Sequence, residues 1–212
     1  MLQGLQSFDQ EREQVNASWA WMQQSPPSAE IDSLILDFAD ATAYIGDLRF
    51  DTRSERIPQL ETVLAIVRRC GIKKGEKTAL GNLGIAYGQI GDPMRAMAFY
   101  REQLRLAYET NNRHSQVNAY GNIGEVYARQ GNFQAARKYF EKALAIGQSL
   151  GDKQSIGPLL GNLGVVHDSL GDLRKAKRCY EHALDIAQKR GERRRESNVL
   201  CNLGIISKSR EI

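Results

Sequence analysis

A chain of 212 residues with 42% hydrophobic and 25% charged side chains has the composition of an ordinary soluble protein, and no apolar run approaches the roughly 18 residues of a membrane-spanning helix. Its three cysteines, Cys70, Cys179 and Cys201, are odd in number and form no C-x-x-C pair, which speaks against a disulfide framework and a structural zinc site. The net charge of +4 is terminal, because residues 171–212 hold eleven Lys or Arg against six Asp or Glu and the rest is nearly neutral.

The opening MLQGLQSFDQEREQ has neither a basic n-region nor an apolar h-region, so no signal peptide is expected and the cytoplasm is the default location. Ser7 and Gln10 stand at capping-box spacing, and Phe8, Val15, Trp19 and Met22 follow at helical intervals, which predicts a helix over 7–24. Ser25-Pro26-Pro27-Ser28 ends it. From Ile31 to about Phe50 the positions Leu34, Ile35, Phe38, Ala41, Tyr44 and Ile45 outline a second apolar face. A further helix around Leu60 to Val67 stops near Cys70-Gly71, with Pro58 inside it or at its first turn.

The rest of the chain is periodic. Gly81-Asn82-Leu83-Gly84 returns as Gly121-Asn122-Ile123-Gly124, Gly161-Asn162-Leu163-Gly164 and Cys201-Asn202-Leu203-Gly204, always forty residues on. In the same register fall Gly91, Gly131 and Gly171, then Ala96, Ala136 and Ala176, then Tyr100, Phe140 and Tyr180, then Leu104, Leu144 and Leu184. A fixed period of this length marks a repeat array, in which each unit buries its apolar face against its neighbours. Each copy predicts a helix A (75–90, 113–130, 153–170), a Gly-Asp or Gly-Asn turn, and a helix B (93–110, 133–150, 173–190). The turn glycines suit left-handed C-caps, Asp92, Asn132 and Asp172 suit N-caps, and Pro93 suits a first turn. Leu80, Leu83, Gly84 and Tyr87 lie within about 100° of arc, the buried face of helix A, and the glycines at 81 and 84 point to close helix crossing.

The spacing Leu83-Gly84, Tyr87, Gly91, Ala96, Tyr100 resembles the tetratricopeptide repeat, in a long-helix form. The resemblance implies an all-α fold, a right-handed α-solenoid of antiparallel helix pairs. Its parts would be an N-terminal capping helix over 1–24, a degenerate repeat over 30–71, full repeats over 75–111, 113–151 and 153–191, and helix A of a truncated fourth over 194–212. In the first of these repeats Leu64 and Gly71 keep the register, but Arg56 stands where the other copies have alanine; a worn repeat and an unrelated capping hairpin are both open readings. The stretch Phe8 to Trp21 is also similar to the segment that precedes the C-terminal repeat array of bacterial STAND signalling ATPases with an NB-ARC-like module. That resemblance implies a sensor arm of a larger switch protein, although no G-x-x-x-x-G-K-[ST] loop is present here.

Asn82, Asn122, Asn162 and Asn202 lie opposite the buried arc, on the side that lines the concave groove in tetratricopeptide arrays. A row of carboxamides suits bonding the backbone of an extended peptide, or else bonding a neighbouring helix carbonyl. Beside them the positions vary: Thr78, Ile85 and Gln89; Asn118, Glu125 and Arg129; Val165, Asp168 and Ser169; Ile205, Lys208 and Ser209. The expected binding set is therefore Asn82, Asn122, Asn162, Asn202, Glu125, Arg129, Asp168 and Lys208. His167 takes the place of the repeat tyrosine and reads as core; His114 and His182 have no metal-ligand spacing, and no catalytic motif, metal site or cofactor site is expected.

The leading expectation is a protein-interaction module that binds a peptide or protein segment in its groove. An intramolecular regulatory arm acting on an effector domain of its parent is the alternative. Nucleic acid is a minor one, through Arg174-Lys175-Ala176-Lys177-Arg178 and Lys189 to Arg195, since neither run interleaves aromatics; no membrane partner is expected. Val199, Leu203 and Ile206 share an arc of about 60° that a following helix would cover, so an open end and weak self-association are expected there.

Overall fold

The computed structural model describes the backbone of residues 2–208 and the side chains of residues 9–42 and 50–205. These residues form ten α-helices and one short π-helix, with no strand among them, and they divide into two compact units, 1–92 and 93–212. No helix among the described residues is long and apolar enough to cross a membrane.

The first unit contains α1 (Leu2–Gln24), α2 (Ala29–Arg49), a π-helix (Thr52–Arg56), α3 (Ile57–Arg69) and α4 (Lys73–Gln89). Helix α1 starts well before Ser7, so the capping box expected there is internal to the helix. The diproline does end it, and Ser28 Oγ accepts from the Ile31 N–H at 3.2 Å to open α2. Met22, Ile35 and Ile66 form a small buried cluster flanked by Trp19, Ile31, Leu36 and Phe38, with the Trp19 and Phe38 rings stacked at 5.4 Å. Two positions expected on the apolar face of α2, Leu34 and Ala41, are exposed, while Thr42 is buried; Tyr44 and Ile45 lie outside the described side chains.

Thr42 is buried beside Arg56. The π-helix carries this arginine into the interior, at 5% exposure, where the other copies have alanine. Its Nη1 donates to Gln59 Oε1 at 2.9 Å, and Gln59 Nε2 donates to Thr42 Oγ1 at 3.3 Å. A buried guanidinium needs acceptors, and through Gln59 this network reaches the buried Thr42 of α2. Pro58 falls in the first turn of α3, where a missing N–H costs nothing.

The second unit comprises α5 (Pro93–Glu109), α6 (Arg113–Arg129), α7 (Phe133–Leu150), α8 (Lys153–Ser169), α9 (Leu173–Arg190) and α10 (Arg193–Lys208). Consecutive helices pack as antiparallel pairs. In addition α6 touches α8 and α8 touches α10, whereas α5 and α7, and α7 and α9, do not meet. The A helices of this unit therefore form the inner layer and the B helices the outer one. The turns follow the sequence pattern: Gly131 and Gly171 sit at φ +75° and +78°, and the side chains of Asn132 and Asp172 accept from Ala135 N–H and Lys175 N–H. Between repeats, Gly151 and Gly191 adopt φ +65° and +67°, and Asn111 takes the same left-handed place at +51°.

Val117, Tyr120, Ala136, Phe140, Ala143, Leu159, Leu163 and Val166 make one core cluster, and Ile156, Leu160, Ala176, Tyr180, Ala183, Ile186 and Val199 the next. The two motif glycines differ. A Cβ on Gly124 would stand 2.8 Å from the Phe140 ring and one on Gly164 2.4 Å from the Tyr180 ring, so close crossing requires glycine there. At Gly121 it would meet only Leu159 at an ordinary 3.5 Å, and at Gly161 nothing within 4 Å, so the first motif glycine is not explained by crossing.

At α10 the expected open stripe is placed differently. Val199 is buried and Leu203 half-buried against the α8–α9 core, and Ile206 lies outside the described side chains. Leu200 is exposed, at 49%, although its counterparts Leu80, Tyr120 and Leu160 are buried.

Candidate functional site

On the inner layer of the second unit one face of each A helix stays open. Residues three and four apart share that face: Asn118, Asn122, Glu125 and Arg129 on α6, Asn162, Val165 and Ser169 on α8, Asn202 and Ile205 on α10. Asn162 is exposed and Asn122 and Asn202 are half-buried. Asn82, in the first unit, is half-buried on α4. None of the four carboxamides makes a side-chain hydrogen bond among the described residues. They do not tie neighbouring helices together there.

The charged members behave differently from one another. Glu125 Oε1 accepts from Arg129 Nη2 at 2.6 Å, an exposed i,i+4 ion pair. Asp168 lies half-buried at the flank of the stripe. Burial pushes the Tyr180 phenol up to about 12, and the Asp168 charge adds to the effect; Tyr100 is likewise pushed to about 12 by burial and by Glu125. The side chain of Lys208 lies outside the described residues.

The variable positions hold a regularity that the sequence reading passed over. Ile85, Val165 and Ile205 stand in one register, three residues after each asparagine, and are exposed at 46%, 44% and 60%. Only Glu125 interrupts them. The signal was available, since the forty-residue period places all four in line.

His167 is buried among core residues, its Nδ1 has no hydrogen-bond partner, and desolvation pushes its pKa below the ordinary 6.5. His114 Nδ1 stands 3.4 Å from Asp152 Oδ2, the N-cap of α8, a pairing that no short spacing announces. No group of three metal-ligating side chains occurs among the described residues. The basic runs are laced with local ion pairs: Lys175 with Asp172 at 2.8 Å, Lys189 with Asp185 at 2.7 Å, and Glu192 between Arg190 and Arg195.

The described residues of the first unit enclose cavities of about 230 and 490 Å³. The smaller is lined by Trp19, Phe38 and Phe50 beside Asn16 and Gln23. The larger sits between Pro27 and Ile72, over the ion pair of Asp32 and Arg69.

No curated protein sequence matches the chain. Among solved structures, BtubC (BKLC) from P. vanneervenii is similar over 98% of this chain and 83% of its own, with 18% identity and a TM-score of 0.73. A signal transduction ATPase with numerous domains, carrying a tetratricopeptide repeat sensor, from Pyrococcus horikoshii matches 97% of this chain at 17% identity and a TM-score of 0.73. This chain spans 32% of that protein. The apo form of RapI matches 94% of this chain and 55% of its own at 14% identity and a TM-score of 0.76. These likenesses fix the fold as an all-α repeat of the solenoid type, similar to the sensor region of the archaeal ATPase. Family models described as tetratricopeptide repeat match residues 79–113 and 115–189, consecutive stretches that contain the glycines seated on Phe140 and Tyr180. The chain belongs to the tetratricopeptide repeat family, whose fold is a protein-interaction scaffold.

Proposed function

We propose that the open face of the A helices holds an extended segment of a protein partner, with the asparagine carboxamides bonding its backbone. The observation that carries this reading is that Asn122, Asn162 and Asn202 occupy one register on α6, α8 and α10, accessible and with no hydrogen bond spent on their own fold. Each offers two donors and an acceptor, which matches the alternating N–H and C=O groups of an extended chain and reads no side chain. Changing Asn122 and Asn162 together to alanine should weaken partner binding by about 1 to 3 kcal/mol as two or more backbone bonds are lost. Proteins retained from native lysate by the wild-type chain and lost from the double variant would identify the partner class. A double variant that retains the same proteins while its melting temperature collapses would make the asparagines structural.

The likeness to the sensor of the archaeal ATPase supports a second reading, in which the array is the regulatory arm of a longer signalling protein and its face docks on an effector domain. Joining the chain to its genomic neighbours and measuring nucleotide hydrolysis with and without the arm separates the two. Nucleic-acid binding is disfavoured by the local pairing of the basic runs, and steep loss of any binding between low and moderate salt would restore it.

A further inference from the structure

We infer that the segment held on the second unit's inner face presents a basic residue and two aliphatic residues at three-residue intervals, met in turn by Glu125, Val165 and Ile205. This rests on the peptide-binding reading above and adds the chemistry of the ligand to it.

The three residues share one register position on α6, α8 and α10, each one helical turn from an asparagine of the row. Val165 and Ile205 leave 44% and 60% of their surface in water, although Val166 on α8 and Val199 on α10 are buried. An aliphatic side chain held in the open at the same place in successive helices gains its burial only when something lies across it. Adjacent packed helices stand about 8 to 10 Å apart. A polyproline-II segment repeats its side-chain direction every three residues, over about 9 Å, so it can offer one side chain per A helix while its backbone stays within reach of the asparagines.

Charge selects the third contact. Beside Glu125 on α6 and Asp168 on α8 stands one cation of the stripe, Arg129, while the exposed Arg194 lies in the first turn of α10, away from Glu125. Arg129 already bonds Glu125, but an exposed i,i+4 pair is weak and a ligand ammonium or guanidinium can share or replace it. An acidic ligand residue at that point would meet repulsion. The face thus offers three kinds of contact: carboxamide for backbone, carboxylate for a cation, aliphatic side chain for aliphatic side chain.

Three fluorescein-labelled peptides test this against the full chain by fluorescence anisotropy, with spacer residues drawn from Ser, Gln and Pro. One carries Lys, Ile and Ile at three-residue intervals, one replaces Lys by Glu, and one keeps Lys, Ile and Ile at two-residue intervals. The first should bind about tenfold tighter than either other. Val165→Asp or Ile205→Asp should each lose about that factor, and both are surface changes that leave the core untouched. Glu125→Lys should reverse the preference toward the Glu peptide. Equal binding of all three, lost in the Asn122 and Asn162 double alanine variant, overturns the inference and leaves the backbone-binding reading standing. Preference for the first peptide unchanged by the asparagine variant upholds the side-chain contacts and overturns the backbone reading. If no peptide binds, or Glu125→Lys leaves the preference unchanged, the inference fails.

Discussion

One added methyl group should act in opposite senses at two glycines three residues apart. Gly164→Ala would drive a Cβ to 2.4 Å from the Tyr180 ring, and the fully buried ring has no room to retreat, so a loss of about 1 to 3 kcal/mol is expected. Gly161→Ala meets nothing within 4 Å and should gain up to about 1 kcal/mol from helix propensity. Urea unfolding of the two variants decides this; equal signs would mean that the helix crossing is not what holds Gly164. The sequence showed both glycines as one motif, because period and spacing record that a residue recurs and say nothing of which face it serves. His167 makes a second residue-scale case. Burial lowers its pKa, with Asp172 only partly opposing, so as pH falls through about 6.5 the unfolded chain takes up the proton first. The stability held by the neutral imidazole is therefore present above that pH and lost below it. Melting temperature should drop between about pH 7.5 and 5, and His167→Tyr, which restores the residue found at Tyr87 and Tyr127, should flatten the drop. Identical slopes for the two proteins would count against a buried neutral histidine.

At the scale of the element, helices α4 to α9 were legible almost to the residue, because most boundaries are set by a turn glycine or a capping Asn or Asp that return every forty residues; Asn111 at the α5–α6 turn and Ile72 before α4 are the departures. The first seventy residues were less so. Nothing in an apolar pattern announces that a π-helix will carry Arg56 inward, that Thr42 will be buried, or that Leu34 and Ala41 will be exposed. Of the candidate face, the angle to the buried arc points to the asparagines, while the exposure of Ile85, Val165 and Ile205 beside them becomes visible only once burial is known. One inter-repeat turn invites a test. Asn111 holds a left-handed conformation, φ +51°, where Gly71, Gly151 and Gly191 stand in the other copies. Asparagine tolerates that region at some cost and glycine at none, so Asn111→Gly should stabilise the chain by a few tenths to about 1 kcal/mol. A loss in chemical denaturation would show that the asparagine side chain contributes more in place than its backbone strain removes.

Across the whole molecule the two units differ in what fills them. Asp32, Thr42, Arg56, Gln59, Glu76 and Lys77 are buried in the first, against Gln103, Gln116 and His167 in the second. Glu76 is bonded by Arg68 at 3.1 Å and Lys73 at 3.0 Å, so its charge is compensated, and these bonds hold its pKa down against the desolvation that would raise it. Compensation is not the same as stabilisation: burying an ion pair or a bonded guanidinium recovers little more than the desolvation it costs, whereas Leu, Ile and aromatic side chains in the same volume would add about 1.5 to 3 kcal/mol each. In a repeat array stability is close to a sum over units and nearest-neighbour interfaces, so a polar interior in one unit lowers its opening energy without lowering that of the other. Amides of α2 and α3 should therefore exchange with solvent earlier than those of α6 to α9, and should do so through an opening that leaves the inner face of the second unit folded. Native-state hydrogen exchange resolves the order. Slowest exchange in α2 and α3 would mean that the Arg56, Gln59 and Thr42 network holds its unit more firmly than the apolar layers hold theirs.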